Sequence, residues 1–250
     1  MSLSDKVAIV TGGGRDIGRA VSLKLAGLGA RVVINFANDE ATAAETLKLV
    51  QEAGGQAIVH RADVTDAAAV DGLIQATEAA FGDRIDVLVN CAGGMVARKK
   101  LMEMDEAFFD QVMDLNLKST FLVTRAVVPM MPPGGAIVNF SSQAARDGGG
   151  PGASIYATAK GAVSTFTRSM AKELGAQGIR VNAVCAGMIS TRFHDTFSKP
   201  EGRAAVAAAT ALKREGRAEE AAELVAFLAT DASSYITGAC VDINGGLLFS

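Results

Sequence analysis

Tyr156 and Lys160 stand four residues apart in the helical pattern Ser154-Ile-Tyr-Ala-Thr-Ala-Lys-Gly161, and residues at that spacing share one helix face. A phenol ordinarily titrates near ~10, and a cation held beside it stabilises the phenolate. The pair therefore predicts a Tyr156 whose pKa is lowered by Lys160, able to exchange a proton nearer neutrality. Upstream, the β-branched and aromatic run Ala136-Ile-Val-Asn-Phe140 ends in Ser141-Ser142, which places the Ser142 hydroxyl at a strand end, where it can bond the same substrate oxygen. Such a site gives a proton to a carbonyl oxygen, or takes one from an alcohol, while another group moves a hydride.

The elements that must hold these residues follow from periodicity. Val7-Ala-Ile-Val10 is a short apolar run, followed by the glycine turn Thr11-Gly-Gly-Gly-Arg-Asp-Ile-Gly18 and then a helical pattern. Strand, glycine turn and helix together bring a pyrophosphate against backbone N–H groups at a helix N-terminus. Further buried-strand runs lie at Arg31–Asn35, Ala57–His60, Ile85–Val89, Ala136–Val138, Ile179–Val184 and Cys240–Ile243, separated by helical stretches near 39–53, 67–81, 103–128, 154–175 and 216–229. Strands apolar throughout and alternating with helices imply a parallel sheet covered on both faces, and right-handed crossovers make it doubly wound, an α/β Rossmann-like fold in a single domain, 1–250. Ligands in such sheets sit beyond the carboxyl ends of the strands, where the glycine turn, Asp63-Val64, Asn90-Cys-Ala-Gly93, Ser142 and Gly187–Thr191 all fall.

Composition narrows the class. With 49% hydrophobic and 20% charged residues the chain is expected to be globular, and its net charge of −3 carries no block of one sign, so nucleic acid is not an expected partner. No apolar run approaches the ~20 residues of a membrane span, and Met1–Lys6 lacks the core of a signal peptide, so no membrane association and a cytoplasmic location are expected. Cys91, Cys185 and Cys240 form no Cys-x-x-Cys pair, and His60 and His194 sit in no ligand spacing, so no metal is expected.

Taken together, the segments TGGGRDIG at 11–18, DV at 63–64, NCAG at 90–93, DLNLKS at 114–119, FSS at 140–142, YATAK at 156–160, VNAVCAG at 181–187 and SYITGACVDINGG at 234–246 resemble the short-chain dehydrogenase/reductase family over nearly the whole chain. The resemblance implies Tyr156 as acid/base, Ser142 polarising the carbonyl, and Lys160 tuning Tyr156 and holding the nicotinamide ribose. It also implies Asn116 in a water-mediated proton relay to Lys160. Gly12, Ile17 and Gly18 would cradle the pyrophosphate, Asp63 and Val64 the adenine, Asn90 and Ala92 the adenine ribose side, and Gly187, Ile189 and Thr191 the carboxamide. Relatives pair the helices near 103–128 and 154–175 across a two-fold axis, which implies a homodimer or homotetramer.

Four departures matter. Asp16 stands where the family's turn usually has glycine, and is expected to cap the helix beginning at Ile17. Ala186 replaces a common proline, and Ser142 precedes Tyr156 by one residue more than is most frequent, a difference Gly148–Gly150 can absorb. Finally, Phe36 stands where an acidic residue would bind the ribose hydroxyls of NAD, while Arg15, Asn35 and Asn38 offer donors to a 2′-phosphate, so NADP(H) is expected, with NAD as the alternative.

The expected substrate is a small ketone or secondary alcohol, of which a keto-sugar or sugar acid is one form. Arg98-Lys-Lys100 and Arg192-Phe-His194 border it and offer charge to a carboxylate, and 192–215 is expected to be a mobile lid. One alternative is a 3-oxoacyl-acyl-carrier-protein reductase, although Pro129–Gly135 carries no basic residue for docking an acidic carrier and only Lys172 remains. A catalytically silent NADP-binding sensor or scaffold is the alternative of another class.

Overall fold

The computed structural model describes residues 1–249. Seven strands, β1 (Val7–Thr11), β2 (Arg31–Phe36), β3 (Gln56–Arg61), β4 (Val87–Asn90), β5 (Ala136–Ser142), β6 (Arg180–Ala186) and β7 (Cys240–Ile243), form one sheet in the order β3-β2-β1-β4-β5-β6-β7. Every pairing is parallel. Successive side chains of a strand point to opposite faces, and the sheet uses both. Val10, Ile34, Val89 and Phe140 pack beneath helices α1 (Asp16–Gly27) and α10 (Ala218–Ala229). Ile9, Val33, Leu88 and Ile137 pack beneath α3 (Ala67–Phe81), α5 (Ser119–Val127) and α7 (Ser154–Leu174). Leu88 is fully buried between strands, so Leu88→Ala is expected to cost about 2–5 kcal/mol.

The strand order reverses between β1 and β4, which opens the crevice that a doubly wound sheet uses for ligands. Register keeps the strand ends level there: Thr11 pairs with Asn90 and Asn90 with Asn139, while Ser142 pairs with Ala186 and Ala186 with Ile243. α2 (Glu40–Glu52) follows β2 and is capped by Asp39, whose carboxylate accepts from the Thr42 N–H.

The helix expected over 103–128 begins at Glu106 and is interrupted by a wider turn. Asp105 caps α4 (Glu106–Met113) by accepting from the Phe108 N–H at 2.8 Å, and residues Asp114–Lys118 form a π-helical turn before α5. The cause is Asn116, whose Nδ2 donates to the Val112 carbonyl at 2.8 Å, the acceptor that a regular α-helix would give to its own backbone. The 192–215 stretch also contains regular structure: α8 (Arg192–Phe197) and α9 (Pro200–Ala209), with Pro200 at the start of the latter, where its missing N–H costs nothing. α6 (Ala144–Asp147) is a single turn after β5, and Gly148 closes it at φ 82, a left-handed conformation that glycine adopts without a steric penalty. Among the described residues no helix is long and apolar enough to cross a membrane.

Candidate active site

At the end of β5 the Ser142 hydroxyl accepts from the Ala144 N–H at 3.1 Å and lies near enough to the Tyr156 phenol to favour its ionised form. Tyr156 lies in the first turn of α7. The Lys160 ammonium is buried, donates to the Phe140 carbonyl at 2.8 Å, and stands 5.9 Å from the centre of the Tyr156 ring. Lys160 and Tyr156 thus share one helix face as their spacing predicts.

Their electrostatics differ from the expectation. Burial pushes the Tyr156 phenol above its ordinary value, and the nearby Ser142 hydroxyl only partly opposes it. The lysine gives its hydrogen bond to a backbone carbonyl rather than to the phenol, so in the protein alone Tyr156 remains a protonated donor. Burial in turn pulls the Lys160 ammonium down to about 8, with Cys91 and Cys185 opposing.

Asn116 is completely buried and reaches the loop after β4, where its Nδ2 donates to the Gly94 carbonyl at 2.8 Å and its Oδ1 accepts the Gly94 N–H at 3.0 Å. No hydrogen bond joins it to Lys160, and Gly93 borders the gap between the two side chains. A Cβ on Gly93 would lie 2.8 Å from Asn116 Oδ1 and 2.9 Å from Lys160 Nζ. Gly93 is thus a site residue that the pattern Asn90-Cys-Ala-Gly93 contained without revealing its part. Thr11 is a second: its hydroxyl accepts the N–H groups of both Cys91 and Ala92 at 3.1 Å and ties the two phosphate-side loops together.

In the dinucleotide crevice, Gly12 adopts φ 62 and its Cα lies so near Ala92 that a Cβ would meet the Ala92 backbone at 3.1 Å. A Cβ on Gly18 would be 2.0 Å from the Gly12 carbonyl, so the turn folds onto its own helix only with glycine there. Ile17 packs against the core beside them. No side chain caps the first turn of α1, which leaves its N–H groups aimed at the crevice, so the residues present fit a pyrophosphate. Gly187 lies against Asn244, and its N–H donates to the Ile243 carbonyl. Ile189 is buried, and Thr191 turns its hydroxyl back to the Ile189 carbonyl at 3.1 Å.

Several expected contacts are redirected. Asp16 does not cap α1: it takes the left-handed conformation that a glycine would occupy, φ 50, and its Oδ1 accepts the Arg192 N–H at 3.1 Å. Asn35 is not free for a phosphate, because its buried amide accepts from the Gly12 N–H and donates to the Ala62 carbonyl at 3.0 Å. Exposed Arg15 and Asn38 remain as donors at that end. Asn90 sends its Nδ2 into the core, to Asn139 at 2.9 Å and Thr124 at 3.1 Å, so its side chain braces β4 rather than facing a ribose. Asp63 folds its Oδ1 onto the Thr65 N–H and hydroxyl, and Val64 is buried behind it.

Arg98 and Arg192, expected to offer charge to a substrate carboxylate, are bonded to protein groups around α8 instead. Arg98 donates to the Phe197 carbonyl at 2.8 Å and the Pro151 carbonyl at 3.0 Å, and Arg192 reaches Asp39 at 3.2 Å. On α9, Arg203 joins Asp195 and Glu215 and reaches back to Ser190.

The family described as Enoyl-(Acyl carrier protein) reductase matches residues 12–248. A 3-oxoacyl-[acyl-carrier-protein] reductase of Synechocystis sp. is 39% identical over 250 residues, covering 99% of this chain and 98% of its own. A short-chain dehydrogenase from Burkholderia cenocepacia J2315, solved in complex with NADP, superposes with a TM-score of 0.92 at 31% identity over 99% of both chains. An NADH-dependent reductase responsible for alginate metabolism superposes at 0.90 with 35% identity, again over 99% of both. The chain belongs to the short-chain dehydrogenase/reductase family and is an NAD(P)-dependent oxidoreductase.

Proposed function

We propose that this protein is an NADP(H)-dependent reductase of small ketones, acting in reverse on secondary alcohols, with Ser142, Tyr156, Lys160 and Asn116 as its working residues. The observation that carries the reading is the Ser142–Tyr156 hydroxyl pair with the buried Lys160 ammonium on the same helix face. Bound in the crevice, the reduced nicotinamide supplies the hydride. Ser142 and Tyr156 hydrogen-bond the substrate carbonyl oxygen, and Tyr156, held protonated by burial, delivers its proton to that oxygen as negative charge develops there. The Lys160 charge then stabilises the phenolate left behind, and Asn116 fixes the Gly93–Gly94 backbone beside it.

One solved neighbour is an NADH-dependent reductase and another is solved in complex with NADP, so preference is argued from this chain alone. No carboxylate follows β2 directly. Asp39, the nearest, has its charge engaged by Arg192 and the start of α2, while Arg15 and Asn38 stay exposed. This supports NADP(H). The sugar-acid form of the substrate loses its support with Arg98 and Arg192 occupied, so we keep the substrate at a small uncharged ketone.

We also assign assembly to the face of α4, α5 and α7, where Phe109 and Phe121 are exposed and an apolar cavity of about 390 Å³ lies between Met113, Leu117, Phe121 and Phe166. The lid is assigned as one body, α8 and α9 pinned together by Arg203, that moves as a unit in the single domain. The test is oxidation of NADPH and NADH with a panel of neutral ketones, keto-sugars and a carrier-bound 3-oxoacyl group. NADPH oxidation with the neutral ketones is expected. A carrier-bound substrate far superior to all others would replace the small-ketone reading, and cofactor binding without turnover on any arm would replace catalysis by sensing.

A further inference from the structure

Beside the catalytic phenol lies an aromatic cluster that nothing in the proton chemistry requires. The Phe193 ring packs on Tyr156 with centroids 5.7 Å apart and planes inclined at 39°. Phe193 is held in turn edge-on by His194 and Phe197, each at 5.1 Å. All three rings ride on α8, which is fastened at one end by the bonds of Arg192 to Asp16 and Asp39 and at the other by that of Arg98 to the Phe197 carbonyl. While α8 is docked by these bonds, the ring is presented in place against the phenol.

We infer that Phe193 sets the substrate preference of the Tyr156 site, and that the ketone it accepts carries a flat aromatic group next to the carbonyl. The inference rests on Tyr156 being the proton donor. A carbonyl oxygen bonded to the Tyr156 hydroxyl brings its substituents within van der Waals reach of whatever flanks the phenol, and that flank is Phe193. Aromatic rings meet such a face by offset or edge-on packing worth more than the area they bury.

Charge around the cluster points the same way. Arg98 and Arg192 are committed as described, the Lys99 ammonium sits over the Phe108 ring at 4.4 Å, and burial keeps the His194 imidazole below its ordinary value and hence neutral at pH 7. None of these four groups is therefore free to pair with a carboxylate entering beside Phe193. Beside Phe197 a cavity of about 420 Å³, lined by Val96, Ala97, Thr196 and Ser198 and also by Arg98 and Lys199, gives room for a ring and its substituents.

The test measures ketone affinity by calorimetry on the NADP⁺-saturated protein, which needs no turnover, and kcat/KM with NADPH in parallel. The probes are an aryl methyl ketone, its saturated-ring counterpart and a 2-oxo acid of similar size. Wild-type protein is expected to bind the aryl ketone roughly 2- to 10-fold more tightly than the saturated one. The 2-oxo acid should be the weakest, and Phe193→Leu should bring the aryl-to-saturated ratio close to one. Where Phe193→Leu fails to melt cooperatively, Phe193→Met replaces it. An affinity ratio of one in the wild type, a preference for the 2-oxo acid, or a ratio that survives removal of the ring overturns the inference. Aryl preference in binding without any turnover would instead leave the inference standing and remove the reductase reading beneath it.

Discussion

The Asp16 carboxylate accepts the backbone N–H of Arg192 at 3.1 Å, so the first residue of α1 is bonded to the first residue of α8 across the mouth of the dinucleotide crevice. Its other oxygen lies 3.8 Å from Arg15 Nε, the cation assigned to the 2′-phosphate. Asp16 therefore competes with the cofactor for Arg15. Asp16→Asn keeps a residue type tolerant of the left-handed conformation and removes only the charge. NADPH affinity by fluorescence titration should rise by about 3- to 10-fold at low salt and by less at high salt.

Arg15→Ala removes the charge nearest that end of the crevice and leaves the hydroxyls of NAD without a lost partner. The NADP/NAD ratio of kcat/KM is expected to fall by about 10-fold or more. An unchanged ratio would return the cofactor assignment to NAD.

Tyr156→Phe keeps the ring that packs on Phe193 and deletes the transferable proton. Turnover should drop by ~10²- to 10⁴-fold while NADPH binding, read separately by fluorescence, stays near wild type.

Lys160 couples activity and stability in opposite senses. Its pKa in the folded chain is about 8 against an ordinary 10.5, so at pH 7 the fold holds a buried charge that the unfolded chain solvates, and stability rises with pH between those two values as the folded form deprotonates first. Lys160→Met should therefore raise stability at pH 7, on the order of 2 kcal/mol after loss of the bond to the Phe140 carbonyl, while abolishing turnover. In the wild type, reduction should decline above about pH 8, where the phenolate loses its counter-charge. Chemical denaturation at pH 7 and 9.5, with a pH–rate profile, checks both.

Phe121 is 44% exposed and meets Phe166 edge-on at 6.5 Å on the face assigned to assembly. Wild-type protein is expected to run as a dimer or tetramer in light scattering at micromolar concentration, and Phe121→Asp as a smaller species, because a desolvated charge opposes burial of that face.

What could be foreseen and what could not divides along local and long-range causes. The strands announced themselves because both sheet faces are covered, so runs such as Val87–Val89 are apolar at every position. Tyr156, Lys160 and Ser142 were legible because their spacing is set by one helix face and one strand end. The π-helical turn at Asn116 was not, since it depends on where a side-chain amide finds its acceptors. Asn35 and Asn90 read as cofactor ligands, and their role as braces shows only once the partners at Ala62 and Asn139, distant in sequence, are known. The Tyr156 pKa ran opposite to expectation because helical spacing reports proximity to Lys160 and says nothing of burial.

The widened turn at Asp114–Lys118 has a mechanical corollary. One residue advances an α-helix by about 100°, so an inserted residue in a single turn rotates everything after it by that angle. α4 accordingly lays its buried side against α7, whereas α5, a continuation of the same rod, lays its own against α3. Removing any one residue of the segment would straighten the rod and turn either Phe108 and Val112 or Val123 and Val127 out toward water, with Asn116 swung off the Gly94 loop. The segment should thus accept many exchanges at half-buried Asp114 and exposed Lys118, yet no change in its length.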